Sequence, residues 1–460
     1  MVRRGGPGEK EDVRFMKRVG VRELLGVSRL TFLLLALLGC GLLGPWGGGP
    51  ALAGYGPEAA IDPKPSPLPD RVILTWSGDP STTQSVTWRT DATVEDAYAE
   101  IAVADRTPEF YKKARRVAAT TSVLDTESGA AHYHSVRFAG LEPGTLYAYR
   151  VASDEGSSEW FQFRTATGEP RPFSFIYFGD AQRNILALWS RVVRSAFAAA
   201  PDARFLLHAG DLVNNGEKDE QWGEWFRAGS WIFGSVPSIP VIGNHEYVDD
   251  GDGGEKPTDH WGVQFTLPGN GPAGFDGTTY FVDYDGVRVV VLNSFERLEE
   301  QTPWLESVLR ENPNRWTVAA FHHPVYSATG ARDNEDLRDL WKPLFERYGV
   351  DLVLQGHDHT YARGRNLPGE KDREPSGGPM YVVSVSGPKM YEMTDKRWMD
   401  RAAEDTQLYH IVAVNGDTLR FDAFTAAGEK YDAFDLIKTE GGGNLLVDRW
   451  VPHGREFGFQ

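Results

Sequence analysis

Six side chains suited to holding metal ions recur in this chain, each just beyond a short apolar run. Asp180 stands in GDAQ (179–182), Asp211 in GDLVNNG (210–216), Asn244 in GNHE (243–246), His322 in FHHP (321–324), and His357 and His359 in GHDHTYAR (356–363). Carboxylates, an amide and imidazoles are the donors with which two ions held roughly 3.5 to 4 Å apart clamp a phosphoester and activate water. Asp180 suits one ion, Asp211 has two oxygens with which to bridge both, and Asn244 offers a neutral oxygen. His357 and His359 can serve different ions if the backbone turns between them. Each motif alone is weak; their order, each after an apolar strand, is the specific signal.

The runs ahead of the motifs are FSFIYF (173–178), FLL (205–207), PVI (240–242), TVAAF (317–321) and DLVLQ (351–355), the pattern of strands buried on both faces. An open α/β sheet would put all five motifs at the carboxyl edge of its strands. Ile185, Leu188, Trp189, Val192, Val193, Ala196 and Phe197 follow at helical spacing, and so do Leu337, Leu340, Trp341, Leu344, Phe345 and Tyr348, where Pro343 should interrupt the helix. Asp285-Gly286 between two apolar runs predicts a hairpin. Residues 248–277 read as a loop overhanging the site, with His260 solvated. His208 reads as a satisfied core histidine.

The 460 residues are too many for one ordinary domain, and 41% hydrophobic with 25% charged residues is ordinary for a globular protein. Residues 1–53 differ: Lys17, Arg18, Arg22 and Arg29 lead into apolar 30–43 and then Ala51-Leu52-Ala53, the form of a secretory signal, with Met16 a second candidate start. The apolar core is short for a membrane span, so no transmembrane segment is expected in the mature protein. Cys40, the single cysteine, lies in LLGC (37–40), which resembles a bacterial lipobox; a lipid anchor there is the alternative to free secretion into the periplasm or medium. Residues 1–53 hold eight Lys/Arg and four Asp/Glu, so the remainder carries −21 against −17 for the whole chain. A surface that acidic repels nucleic acid polymers and favours a small phosphorylated substrate.

Proline-rich 54–68 is a linker, and 69–167 reads as short alternating strands at β-sandwich spacing, in which His132 and His134 should face solvent. Leu141, Pro143, Thr145, Tyr147 and Tyr149 look like the tyrosine-corner strand of a fibronectin type III domain. Residues 171–438 form the α/β domain, with apolar runs after the last motif closing a second sheet layer. Residues 439–460 show no period.

Together the five motifs resemble those of calcineurin-like metallophosphoesterases, and the sandwich ahead of them makes the chain similar to the purple acid phosphatase branch over about residues 69–438. The resemblance implies a two-domain fold: a fibronectin type III-like β-sandwich, then an α/β sandwich of two sheet layers flanked by helices. It implies that Asp180 and His359 bind the first ion, that Asn244, His322 and His357 bind the second, that Asp211 bridges, and that His245 is the catalytic histidine. Tyr361 and Arg363 are implied on the substrate side. His323, beside His322, either faces substrate or packs behind the ligands.

Two positions depart from the pattern. Asn214 stands where the purple enzymes place the tyrosine whose phenolate binds ferric iron, and Gln182 where many relatives place a histidine; Gln182 either coordinates through its carbonyl or hydrogen-bonds a bound water. Metal identity, among Fe, Mn and Zn, stays open. The expected activity is an exported dinuclear phosphomonoesterase, resembling acid phosphatases, that uses a metal-activated hydroxide. A phosphodiesterase or nucleotidase, and a non-catalytic surface binding protein, are the alternatives.

Overall fold

A computed structural model describes residues 62–330, 332–365, 378–394 and 398–449. The segment read as an export signal, including Cys40, lies outside the described residues, as do the first residues of the linker. Among the described residues no helix is long and apolar enough to cross a membrane.

Residues 70–164 build two four-stranded antiparallel sheets. One runs Asp70–Thr75, Thr83–Asp91, Gly129–Ala139, Thr120–Thr126; the other runs Arg115–Ala118, Ala97–Val103, Leu146–Ser153, Phe161–Arg164. Leu74, Val86, Trp88 and Phe138 of the first pack with Ile101, Tyr149, Val151 and Phe163 of the second. The tyrosine corner is present: Glu142 donates its backbone N–H to the Tyr147 hydroxyl at 2.9 Å. The expectation that His132 and His134 face solvent fails for His134. It shares a strand face with Val136 and Phe138, is buried, and meets the hydroxyls of Thr90 (2.8 Å) and Thr121 (2.9 Å) through its two nitrogens; His132 is half-buried against the Val94 carbonyl.

Beyond residue 171 two seven-stranded sheets stack. The first runs Ser238–Pro240, Leu206–His208, Phe173–Phe178, Leu408–Asn415, Thr418–Thr425, Lys430–Lys438, Asn444–Asp448; the second runs Tyr280–Tyr284, Val287–Val291, Trp316–Ala320, Leu352–Gln355, Met380–Val383, Tyr361–Gly364, Arg401–Ala403. Phe175, Tyr177, Leu207, Val412 and Phe421 meet Val289, Val318, Leu354 and Val382 between them. Helices Ser190–Ala199 and Asp219–Gly229 cover the outer face of the first sheet, and Leu298–Arg310, Glu335–Leu340 and Lys342–Arg347 that of the second. The break at Trp341 falls where Pro343 required one.

The five motif strands do not share one sheet. Three lie parallel in the first and two parallel in the second, because the hairpin 280–291 opens a new sheet between the third and fourth motifs. Its turn has Asp285 and Gly286 at φ 42° and 93°, the left-handed pair that a tight hairpin demands. Residues 248–277 are more ordered than expected: they contain part of a second hairpin (Tyr247–Asp249 with Glu255–Pro257) and the helix Asp259–Gln264, which buries His260 instead of leaving it solvated. From the stretch without period, Asn444–Asp448 pairs with Lys430–Lys438 at the sheet edge.

Candidate metal centre

The turns after the motif strands of both sheets converge on one buried cluster. Asp180 and Asp211 are closed off from solvent, and so are His322 and His359. One donor atom from each of Asp180, Asp211 and His359, and likewise from Asp211, His322 and His357, lies within 4.8 Å of the others in its group, so Asp211 belongs to both groups. Asn244 joins the second through Oδ1, 3.2 Å from His322 Nε2.

Backbone strain aims these donors. Asp211, His357 and His359 take positive φ (49°, 73° and 50°), a region costly for residues with a Cβ and found where surrounding structure over-determines a site. Between the two histidines Asp358 points the other way and accepts from Ala328 N at 2.6 Å and Ser327 Oγ at 2.8 Å. Gly356 is required because a Cβ there would sit 2.3 Å from Asp180 Oδ1.

Hydrogen bonds then fix the tautomers. His322 Nδ1 faces the Ala209 carbonyl and His359 Nδ1 the Lys389 carbonyl, both at 2.8 Å, so each ring donates through Nδ1 and turns an Nε2 lone pair inward. His357 Nδ1 approaches His322 Nε2 to 3.2 Å. His322 Nε2, His357 Nδ1 and the Asp180 and Asp211 carboxylates crowd together, His359 Nε2 stands 3.0 Å from Asp180 Oδ2, and among the described residues that buried oxygen has no hydrogen-bond partner. The donor set therefore fits two metal ions. Burial opposes charge on His322, yet Asp211 and Asp180 raise its pKa to about 10, so a proton can take the cation's place. Burial and then Asp211 push Glu246 up to about 8; this carboxyl accepts from the backbone N–H groups of Asp211 (2.9 Å), Gly243 (2.9 Å) and Val213 (3.2 Å), tying two motif turns together.

His245 sits beside the cluster with its side chain 29% exposed and Nε2 3.8 Å from Asp211 Oδ2. Its Nδ1 is held by the Asn214 carbonyl at 2.7 Å. The Asn214 amide oxygen accepts instead from Arg183 Nε at 3.1 Å. Gln182 turns its amide nitrogen toward Asp211 Oδ2 (2.6 Å) and His359 Nε2 (3.1 Å), while Lys389 Nζ donates to its oxygen at 3.2 Å. An ammonium can only donate and a carboxylate only accept, so Gln182 presents N–H to the centre rather than a ligand oxygen. His323 is half-buried, with Nδ1 on Ser294 Oγ at 3.0 Å and its ring against His357.

Tyr361 and Arg363 are not on the substrate side. Strand alternation turns both away from the site into the layer between the sheets, where the Tyr361 hydroxyl (2.7 Å) and Arg363 Nε (2.6 Å) donate to Asp432. His208 is in the core as expected, but among the described residues its Nε2 has no hydrogen-bond partner. Sequence reading missed Glu246, Arg332, Lys389 and Tyr391. The tyrosine stacks on His359 with ring centroids 4.5 Å apart. The available signal was SGPKMY (386–391), a polar turn after the apolar strand Met380–Val383, as in the other motifs.

Residues 69–165 match the family of purple acid phosphatase N-terminal domains and residues 174–361 the calcineurin-like phosphoesterases. An uncharacterized protein of Mycobacterium tuberculosis is 28% identical over 389 residues, covering 75% of this chain and 72% of its own length. Acid phosphatase type 7 of Homo sapiens is 28% identical over 379 residues, covering 70% and 78%. Among solved structures, the purple acid phosphatase PPD1 from yellow lupin (Lupinus luteus) seeds shares the fold at TM-score 0.67 and 18% identity, over 80% of this chain and 74% of that one. With both domains matched in order and the fold shared, the chain belongs to the calcineurin-like metallophosphoesterases, in the branch that carries a purple acid phosphatase N-terminal domain.

Proposed function

We propose that the protein is an exported phosphomonoesterase acting on small phosphoesters with two divalent metal ions. The observation that carries this reading is the pair of donor groups sharing Asp211 with the oriented imidazole of His245 beside them. Asp180 and His359 would hold one ion, Asn244, His322 and His357 the other, and Asp211 both. Two such ions, when bound, polarise phosphoryl oxygens and lower the pKa of water. Fe, Mn and Zn all suit these donors, and Asn214 in place of a phenolate favours the divalent state.

His245 supplies the proton chemistry. Because Nδ1 is committed to the Asn214 carbonyl, a proton taken up by the ring resides on Nε2, on the partly exposed side next to Asp211. From there it hydrogen-bonds a phosphoryl oxygen or protonates the leaving group. Gln182 Nε2 and the His245 backbone N–H donate to the Asp211 carboxylate, while Glu246 accepts from the Asp211 backbone N–H and so fixes the turn that carries it. Export rests on the character of residues 1–53, with a lipid on Cys40 as its alternative form. The acid phosphatase names among the relatives agree with a monoesterase.

The test is turnover by metal-reconstituted protein on an aryl phosphate monoester, the matching diester and a nucleotide panel. Monoester hydrolysis that chelation abolishes is expected. Preference for the diester or the nucleotides would replace this reading, and no turnover on any of them would sink it.

A further inference from the structure

Among the described residues, Lys389 is a half-buried cation next to the centre that no carboxylate answers. Its Nζ donates to Gln182 Oε1 at 3.2 Å and stands 5.3 Å from the centre of the Tyr391 ring. Among the described residues it forms no ion pair, in a chain with 65 Asp and Glu against 48 Lys and Arg. Arg332 differs. Its Nη1 reaches the His357 carbonyl (3.1 Å) and Asp358 Oδ1 (3.3 Å), so its charge is already answered. Arg183 is exposed and bonded to Asn214.

The position of Lys389 is set from three sides. Its own carbonyl receives His359 Nδ1, Tyr391 stacks on that histidine, and Gln182 spaces the ammonium one amide away from the shared Asp211. The residue is half-buried, and an ammonium has three donors, of which the amide oxygen takes one. The others are free for an anion seated over the centre.

We propose that Lys389 is a specificity-determining residue that binds the phosphoryl oxygen bearing the second negative charge of a phosphomonoester, selecting monoesters over diesters. The inference rests on the phosphoesterase reading above. A monoester near neutral pH is a dianion with three terminal oxygens, and a diester is a monoanion with two. Two metal ions can engage two oxygens of either, so a cation placed beside them acts chiefly on the third, which only the monoester has. A donor aimed at such an oxygen in a site shielded from water acts more strongly than it would in bulk solvent.

The experiment compares the metal-reconstituted wild type with Lys389→Met, Lys389→Arg and Gln182→Ala on an aryl phosphate monoester and the matching diester, with metal content and inhibition by inorganic phosphate read in parallel. Lys389→Met should lower kcat/KM on the monoester about 10²-fold, at least tenfold more than on the diester, and weaken phosphate inhibition, with metal content retained. Lys389→Arg should restore part of the selectivity. Equal losses on both substrates, reproduced by Gln182→Ala, would make Lys389 only a support for the amide and overturn the inference. A wild type active on neither substrate would overturn the phosphoesterase reading itself, and this inference with it.

Discussion

Asp211 and Asp219 are both buried carboxylates with a histidine within reach, yet their surroundings fit them for different work. Around Asp219 the chain supplies its own permanent cations. Arg71 grips it through Nη1 at 2.6 Å and Nη2 at 2.9 Å, and Arg89 adds a contact at 3.1 Å. Both arginines come from sandwich strands, so the cluster fastens the sandwich to the helix Asp219–Gly229. Around Asp211, among the described residues, no guanidinium enters; the neighbours are the His322 and His245 imidazoles and the Gln182 amide, and the nearby Asp180 Oδ2 has no hydrogen-bond partner. Guanidinium stays charged and fills the acceptor sites of a carboxylate, which closes the cluster. Imidazole can give up its proton and offer the lone pair to an external cation, which leaves this centre open to a metal.

The largest expected effect breaks the centre. Asp211→Asn should empty both metal positions and lower turnover by about 10³-fold or more, whereas Gln182→Ala should cost less than about tenfold, since Gln182 contributes only an N–H. Metal analysis beside turnover checks this, and an active, metal-loaded Asp211→Asn protein would end the assignment.

Removing one arginine from the other cluster should do the reverse. Arg71→Ala strands a buried charge and should destabilise the fold by about 3 to 5 kcal/mol with metal content intact, as read from denaturant midpoints. Burial raises the Asp219 pKa, but His260, Arg71 and Arg89 together hold it below the usual carboxylate range. Its stabilisation is therefore fully present above pH about 4 and fades as pH falls through the depressed folded value. The stability difference between wild type and Asp219→Asn should shrink on acidification; a constant difference would show that the charge contributes nothing.

His245→Ala should lower turnover about 10²-fold while both metals stay bound. Loss of metal in that variant would make His245 a ligand. The smallest signal is spectroscopic. Iron-reconstituted protein should lack an intense phenolate band, because Asn214 turns to Arg183, Tyr247 bonds Glu296 and Asn293, and Tyr326 packs on Tyr381 and Trp398. Tyr391, stacked on His359, is the phenol to suspect if a band appears, and its disappearance in Tyr391→Phe would show a substitute ligand.

The ligand residues and the elements that carry them were legible because their signals are local. Asp180, Asp211, Asn244, His322, His357 and His359 each follow a strand that announces itself by apolar residues, and Pro343 and Asp285-Gly286 act through their own φ angles. What the sequence by itself determined was thus the donor set and the pieces that hold it. Tertiary structure alone decided which layer each strand joins, since periodicity records how a strand is buried and not what lies against it. It also decided the partners of charged groups far apart in the chain: Arg71 with Asp219 across 148 positions, Arg363 with Asp432 across 69, Lys389 with Gln182 across 207. A side chain that shares a motif with ligands, as Tyr361 and Arg363 do, faces the site or the core according to the strand that receives it. That is settled only when the second sheet is in place.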